Sequence, residues 1–288
     1  MHVDLLFSVT ILLAIVLFAF LATARFCTCR RGPAISFVLL ATLGFGWIFA
    51  GRLDWAKFIP SQYVVFLANI TPVLLSVAAG LAFKSHQITR VARPLTAAVL
   101  LTLALAYATV PYFRPNLHPL VLSSQTLWKD STCLQSHPSS CAPAAAVTLM
   151  RLHGVHGTEQ SLATWCLTSE KGTESLGLYR GLVKALDDNR KQPKVASANP
   201  DHWSRQAGLP NVSLVRLGQR TRDWSTAKYY GSIRWLFPSH GEGHAIVVVG
   251  KDESGNWKII DPAFGETVWT DEQMKERFTG EAIYLASK

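Results

Sequence analysis

Charge is scarce in this 288-residue chain: 16% of its residues are Asp, Glu, Lys or Arg, and 49% are apolar. An ordinary soluble domain is about one quarter charged, so a membrane protein has to be considered first. Cysteine is scarce too, and five in a chain of this length do not form a disulfide framework. There is no internal repeat and no low-complexity tract. There is no Gly-x4-Gly-Lys-[Ser/Thr] phosphate loop, so no ATP binding by this chain is expected. Nor is there a basic block interleaved with aromatics, so no nucleic acid is expected as a partner despite a net charge of +9. Residues 1–113 hold eight Lys/Arg against two acids, and residues 114–288 hold 20 against 17. Most of the positive excess therefore lies between apolar segments.

Four uncharged apolar stretches fill the first part of the chain, at 5–24, 33–51, 58–83 and 94–113. Each has about the twenty residues that a helix needs to cross a hydrocarbon core. Hydrocarbon offers backbone groups no partner, so the stretches are expected as four transmembrane helices, with Pro72 kinking the third. Arg25, Arg30 and Arg31 follow the first stretch, and Lys84, Arg90 and Arg93 follow the third. The positive-inside rule puts those two connectors in the cytoplasm and everything after the fourth span outside. The first stretch lacks the basic start of a cleaved signal peptide. The segment 1–113 is thus expected to be an anchor in the cell membrane, with the lipid bilayer as partner. Cys27 and Cys29 at its cytoplasmic border have the position of lipidation sites or of idle thiols.

After a linker at 114–129, residues 130–288 have the composition of a folded domain. Helices are expected at 143–153, 158–166 and 175–188, with Thr158 as an N-cap and Glu159 in the first turn behind it. Strands are expected at 212–217, 232–237, 245–251, 257–261 and 282–286, where β-branched and aromatic residues gather. Asp252 to Asn256 read as the turn of a hairpin, and Thr270 to Gln273 as a capping box. Residues 189–211 are expected to be loop-rich. Helices first and strands later make an α+β domain.

The chemistry centres on Cys141. A thiol attacks a carbonyl only as thiolate, and a helix N-terminus or an adjacent imidazolium favours that form. Ala142-Pro143 followed by Ala144, Ala145 and Ala146 fits a helix start. Gln135, six residues upstream, carries an amide able to donate to an oxyanion. His244 opens an apolar strand and suits a general base. Asp261 ends the next strand of the hairpin, and neighbouring strands lie about 5 Å apart, close enough to orient that imidazole. Each residue also has a plain structural reading, as a buried thiol, a surface amide, a surface histidine or a turn aspartate. A zinc site from Cys133, Cys141, His240 and His244 is the metal alternative. The two cysteines stand eight positions apart, unlike the usual short ligand spacing, so no metal and no cofactor is expected.

The constellation Gln135-x5-Cys141-Ala-Pro-Ala-Ala, Gly243-His244-Ala-Ile-Val and Ile260-Asp261-Pro262 resembles the bacteriocin-processing, double-glycine-leader cysteine peptidases of the papain-like superfamily. Thr158-Glu159-x2-Leu162 and Gly172-Thr173-x3-Gly177-Leu178 are similar to that family's second and third helices. The resemblance covers roughly residues 130–285. It implies a papain-like fold, thiol protease activity on peptide or protein substrates, and the roles of nucleophile for Cys141, base for His244, orienter for Asp261 and oxyanion donor for Gln135. The chain departs from the family in having Ala142 where glycine is usual. It also carries its domain after the membrane segment, with no ATPase attached. Ala142 motivates an alternative, a catalytically weak or inactive papain-like module that binds peptides or partner proteins at the membrane. In an oxidising compartment Cys133 and Cys166 could pair; the other reading is two packed thiols.

Overall fold

The computed structural model describes residues 3–26, 32–86, 88–205, 208–217 and 242–288. The chain divides into two compact units. One comprises Met1–Gly51 and Val65–Phe113, the other Arg52–Val64 and Arg114–Lys288.

The first unit is helical: α1 (Val3–Phe26), α2 (Gly32–Ile48), α4 (Val64–Leu67), α5 (Thr71–Lys84) and α6 (Ala92–Leu117); the one-turn α3 (Trp55–Phe58), in the connector after α2, belongs to the second unit. Three segments are long and apolar enough to cross a membrane: Asp4–Phe26, Val64–Lys84 and Ala92–Leu117. Four such helices were expected, and three are found among the described residues. The stretch at 33–51 yields α2, of 17 residues, which at 1.5 Å per residue spans about 25 Å, short of a core of about 30 Å. The stretch at 58–83 is broken rather than kinked. Pro72 has no N–H and its ring would meet the carbonyl four residues earlier. It therefore stands in the first turn of α5, and α4 stops before it. Large apolar side chains such as Phe18, Leu21, Phe37 and Leu43 face outward, which suits a lipid surroundings and not water. Both α1 and α2 pack on α5. Gly80 of α5 sits so close to α1 that a Cβ there would come within 2.9 Å of the Phe20 carbonyl, the close approach that small residues permit between apolar helices.

The second unit has helices α7 (Cys141–Leu152), α8 (Glu159–Trp165), α9 (Ser175–Ala185) and α10 (Asp271–Arg277). Thr158 caps α8 by accepting from the Ser161 amide. The Thr270–Gln273 capping box forms at α10 as the sequence indicates. A small hairpin pairs β1 (Leu127–Lys129) with β2 (Thr132–Leu134). Among the described residues the main sheet has six strands, β3 (Lys191–Val195), β4 (Asn211–Leu217), β5 (Glu242–Lys251), β6 (Trp257–Asp261), β7 (Gly265–Trp269) and β8 (Phe278–Ser287), in the order β3-β8-β4-β5-β6-β7. All its printed pairings are antiparallel. The unit is α+β.

Four expectations are revised. β1, β2 and β7 were not foreseen, and β3 lies in the segment expected to be loop-rich. Lys191–Val195 holds a proline and three polar side chains and passes for a loop in isolation, but it pairs along one edge with β8. The expected strand at 232–237 lies outside the described residues, as do Cys27, Cys29 and His240. Residues 114–129 are not a free linker. α6 continues to Leu117, the Glu170 amide donates to the His118 carbonyl at 3.1 Å, and β1 begins at Leu127.

One core cluster lies where Trp203, Trp257 and Phe278 meet edge to face, with centroids 5.6 and 5.1 Å apart. Such aromatic pairs add to the burial of their area. The α8–α9 contact is closer still. A Cβ on Gly181 would fall on the Cys166 sulfur and stand 3.0 Å from its backbone nitrogen. Gly181→Ala is therefore expected to destabilise the second unit by about 1–3 kcal/mol, read as a lower Tm of the full chain in detergent. An unchanged Tm would show that α8 and α9 separate freely.

Candidate active site

The site is assembled by a helix tip and a hairpin. α7 begins at Cys141, with Ser140 at its N-cap, and Ala142 through Met150 are buried behind it. Pro143 has no N–H, so the amides at the head of the helix are those of Cys141 and Ala142. These point out of the helix at its positive end. α7 packs on β5, which carries His244 near its start. β5 and β6 run antiparallel, with Val247 opposite Ile260. Asp261, the next residue of β6, therefore arrives beside the beginning of β5.

There His244 Nε2 and Asp261 Oδ1 are 2.8 Å apart. The Asp261 side chain is 1% exposed and that of His244 10%. The Ala263 amide donates to the same Oδ1 at 2.8 Å, fixing the carboxylate in the turn after β6. The Cys141 sulfur also acts on the imidazole. Burial disfavours its charged form, but the hydrogen bond to Asp261, the interaction with Cys141 and the negative charge of both outweigh burial. Together they push the imidazole from 6.5 up to about 9. The structure thus brings together Cys141, His244 and Asp261.

Gln135 belongs to the loop that leads into α7. Its amide nitrogen donates to the His137 carbonyl at 3.2 Å and to the Pro138 carbonyl at 3.5 Å. Its Oε1 is buried without a partner. The amide is held within its own loop, close before the helix tip.

That loop is tied down at nearly every residue. The Gln135 amide donates to the Pro262 carbonyl at 2.8 Å, next to Asp261. The Ser136 amide donates to Glu159 Oε1 at 2.9 Å. The His137 amide donates to Ser140 Oγ at 3.1 Å, and Ser139 Oγ donates to the Glu170 carbonyl at 2.5 Å. Behind the loop, the Cys133 amide donates to Thr148 Oγ1 at 3.0 Å, linking β2 to α7. Sequence reasoning placed Glu159 only as a first-turn acid. The structure buries it at 1% exposure and turns it onto the loop. Nothing in the local sequence separates a dipole-facing glutamate from one that holds a distant amide.

Ala142 lies inside α7, and among the described residues the non-glycine positions with positive φ are Asp130 and Leu167. A side chain at 142 is therefore compatible with the backbone, and glycine is not required there for its φ. Cys133 and Cys166 are unbridged, so the reading as two packed thiols holds. Burial, helped by the Glu159 charge, pushes Cys133 up to about 12. Burial does the same to Cys166, against the pull of Arg180. Among the described residues no three His, Cys, Asp or Glu side chains are grouped to hold a metal ion.

No protein-family model matches the chain. An uncharacterized protein of Methanothermobacter thermautotrophicus is 26% identical over 172 residues, which cover 56% of this chain and 92% of that protein. Among solved structures, the peptidase domain of Streptococcus ComA, a bifunctional ABC transporter involved in quorum sensing, is similar at 21% identity and a TM-score of 0.39. It covers 54% of this chain and 96% of its own. A double-glycine-motif protease from an AMS/PCAT transporter, solved with its leader peptide, is similar at 15% identity and a TM-score of 0.41, covering 59% and 99%. A C39-like peptidase from Bacillus anthracis gives 15%, 0.41, 58% and 98%. These neighbours are of the peptidase class that the sequence motifs resemble.

Proposed function

We propose that the chain is a membrane-anchored, papain-like cysteine peptidase that cleaves peptide bonds with Cys141 as nucleophile, His244 as base and acid, and Asp261 as orienter. One observation carries the reading. A single imidazole is bonded to a buried carboxylate 2.8 Å away and is also acted on by the sulfur of a cysteine at a helix tip. A structural histidine needs neither arrangement.

In the first step the Cys141 sulfur forms a bond to the substrate carbonyl carbon, and His244 holds the thiol proton as imidazolium. Negative charge collects on the carbonyl oxygen. The Cys141 amide at the head of α7 and the Gln135 side-chain amide, turned from one of its loop carbonyls to the substrate, are the donors assigned to that oxygen. Collapse breaks the C–N bond, His244 gives its proton to the leaving amine, and a thioester remains. His244 then removes a proton from water, which attacks the thioester and releases the acid and the thiol. Asp261 stays ionised throughout and keeps the imidazole upright.

The anchor is read as multi-pass in the cell membrane with the peptidase unit extracytoplasmic. The two basic connectors lie on one side only if the chain crosses twice between them, so the short α2 is counted as a span together with α5. The Phe49 and Ala50 amides both continue to the Phe45 carbonyl, which lengthens its helical reach.

Removing the nucleophile or base, by Cys141→Ala or His244→Ala, is expected to lower kcat/KM by at least about 10³-fold. Gln135→Ala is expected to lower it by about 10²-fold. The assay is labelling and turnover of the full chain with an electrophilic or fluorogenic peptide. Equal labelling of all five cysteines, insensitive to these changes, would overturn the reading. The pH profile supplies a second check. A protonated His244 serves the thiolate and supplies the leaving-group proton, so activity should persist above 6.5 and fall as pH rises through about 9. Asp261→Asn is expected to bring that alkaline limb down toward 6.5. Stability follows the same sign: the contribution of His244 is full below 6.5 and lost through about 9. An alkaline limb that ignores Asp261 would sever the carboxylate from the chemistry.

A further inference from the structure

Glu159 is 1% exposed, and a carboxylate at that depth needs several bonds to offset its lost hydration. Its Oε1 accepts from the Ser136 amide at 2.9 Å, and its Oε2 has no partner among the described residues. One bond leaves a buried charge poorly compensated, so stability is a weak reason for it. What the carboxylate does secure is the position of one peptide plane, the one directly after Gln135.

A backbone is a chain of rigid planes hinged at the Cα atoms. The direction of a side chain therefore follows from the two planes that meet at its Cα. At Gln135 both planes are held by groups distant in sequence. The plane before it is held where the Gln135 backbone amide donates to the Pro262 carbonyl at 2.8 Å, and the plane after it is held by Glu159. Pro262 follows Asp261, so the first plane is registered on the carboxylate that bonds His244. The second is registered on α8, which Thr158 caps and which packs on α7, the helix that begins at Cys141. Gln135 is thus referenced to both the base and the nucleophile. Its side chain can still turn. The nitrogen is shared between two loop carbonyls, and Oε1 has no bond among the described residues that a turn would break.

We infer that Glu159 is a positioning residue for the oxyanion step, acting through the Ser136 amide to fix the backbone from which the Gln135 side chain turns to the substrate. This rests on the peptidase reading above. As the Cys141 sulfur bonds to the carbonyl carbon, an electron pair moves onto the oxygen, and donors already in place stabilise it most. Without the Glu159 bond the plane after Gln135 is free to rotate, and the amide has to be ordered anew at each attack. The contribution of Glu159 is confined to attack on a carbonyl and leaves the reactivity of the Cys141 sulfur itself alone.

The test uses the full chain in detergent and two reagents for Cys141, with the rates of Cys141→Ala subtracted. p-Nitrophenyl acetate acylates the thiol through a tetrahedral oxyanion and expels p-nitrophenolate. Iodoacetamide alkylates it at a saturated carbon, expels iodide and forms no oxyanion. Glu159→Ala is expected to slow acylation by about 10- to 100-fold and alkylation by less than about threefold. On a Gln135→Ala background the same change should add less than about twofold to the loss of acylation. Glu159→Gln keeps an acceptor oxygen and should recover acylation to within about threefold of the unaltered chain. If Glu159→Ala does not fold, Glu159→Asp, one methylene shorter, withdraws the acceptor and is read in the same way. Equal slowing of both reagents, an undiminished effect on the Gln135→Ala background, or no slowing of acylation overturns the inference and leaves the peptidase reading standing. Acylation of Cys141 in the unaltered chain no faster than that of free cysteine overturns both.

Discussion

The arrangement depends on a carboxylate that cannot be left alone. Asp261 is 1% exposed, and an ionised carboxylate at that depth is costly unless it is paired and hydrogen-bonded. The Ala263 amide and the His244 imidazole supply the bonds. This requirement reaches outward. It sets the turn after β6, because Ala263 must bend back to Asp261. It sets the orientation of His244, whose Nε2 is committed to the carboxylate. It also sets the loop before α7, because the Gln135 amide is tied to the Pro262 carbonyl next to the same carboxylate.

The loop deserves comparison with the helix it feeds. α7 is held by ordinary means, an alanine-rich face buried on β5. The residues before it have almost no apolar side chains to bury, yet their amides and hydroxyls find partners on α8, on the turn at 169–172 and on Ser140. Polar bonds, not packing, place the helix tip opposite His244. A buried polar network of this kind is exacting, because a missing partner costs more than the bond itself contributes. Glu159 is part of that network, holding the loop before Cys141 through the Ser136 amide.

Much of this was legible in the sequence where chemistry is local. Thr158 and Thr270 announce their helices by capping, and the hairpin of β5 and β6 follows from its turn residues and its alternating apolar run. Cys141, His244 and Asp261 could be nominated because helix start, strand start and strand end are local features. What was not legible depends on partners distant in sequence. β3 is a strand only because β8 lies beside it, 88 or more positions away. Residues 52–64 read as a connector and the start of the third apolar stretch, since nothing in Leu53 announces a bond to Glu281. Pro72 could be recognised as a disruption, but whether it bends or ends a helix depends on how the preceding turn is accommodated.

Thiol selectivity is the last consequence of the geometry. Three described cysteines share one unit, and only the thiolate is a nucleophile. Cys133 and Cys166 are sealed, at 0% and 1% exposure, and both are pushed up to about 12. Cys133 also faces the negative charge of Glu159, the residue that steadies the loop of Cys141. The carboxylate that positions the proposed nucleophile thus also suppresses ionisation of its nearest rival. Cys141, at a helix tip and beside an imidazole, is the described thiol with both a route to solvent and a group to take its proton. Burial and charge set Cys133 and Cys166 apart from Cys141, and the two buried thiols are unbridged.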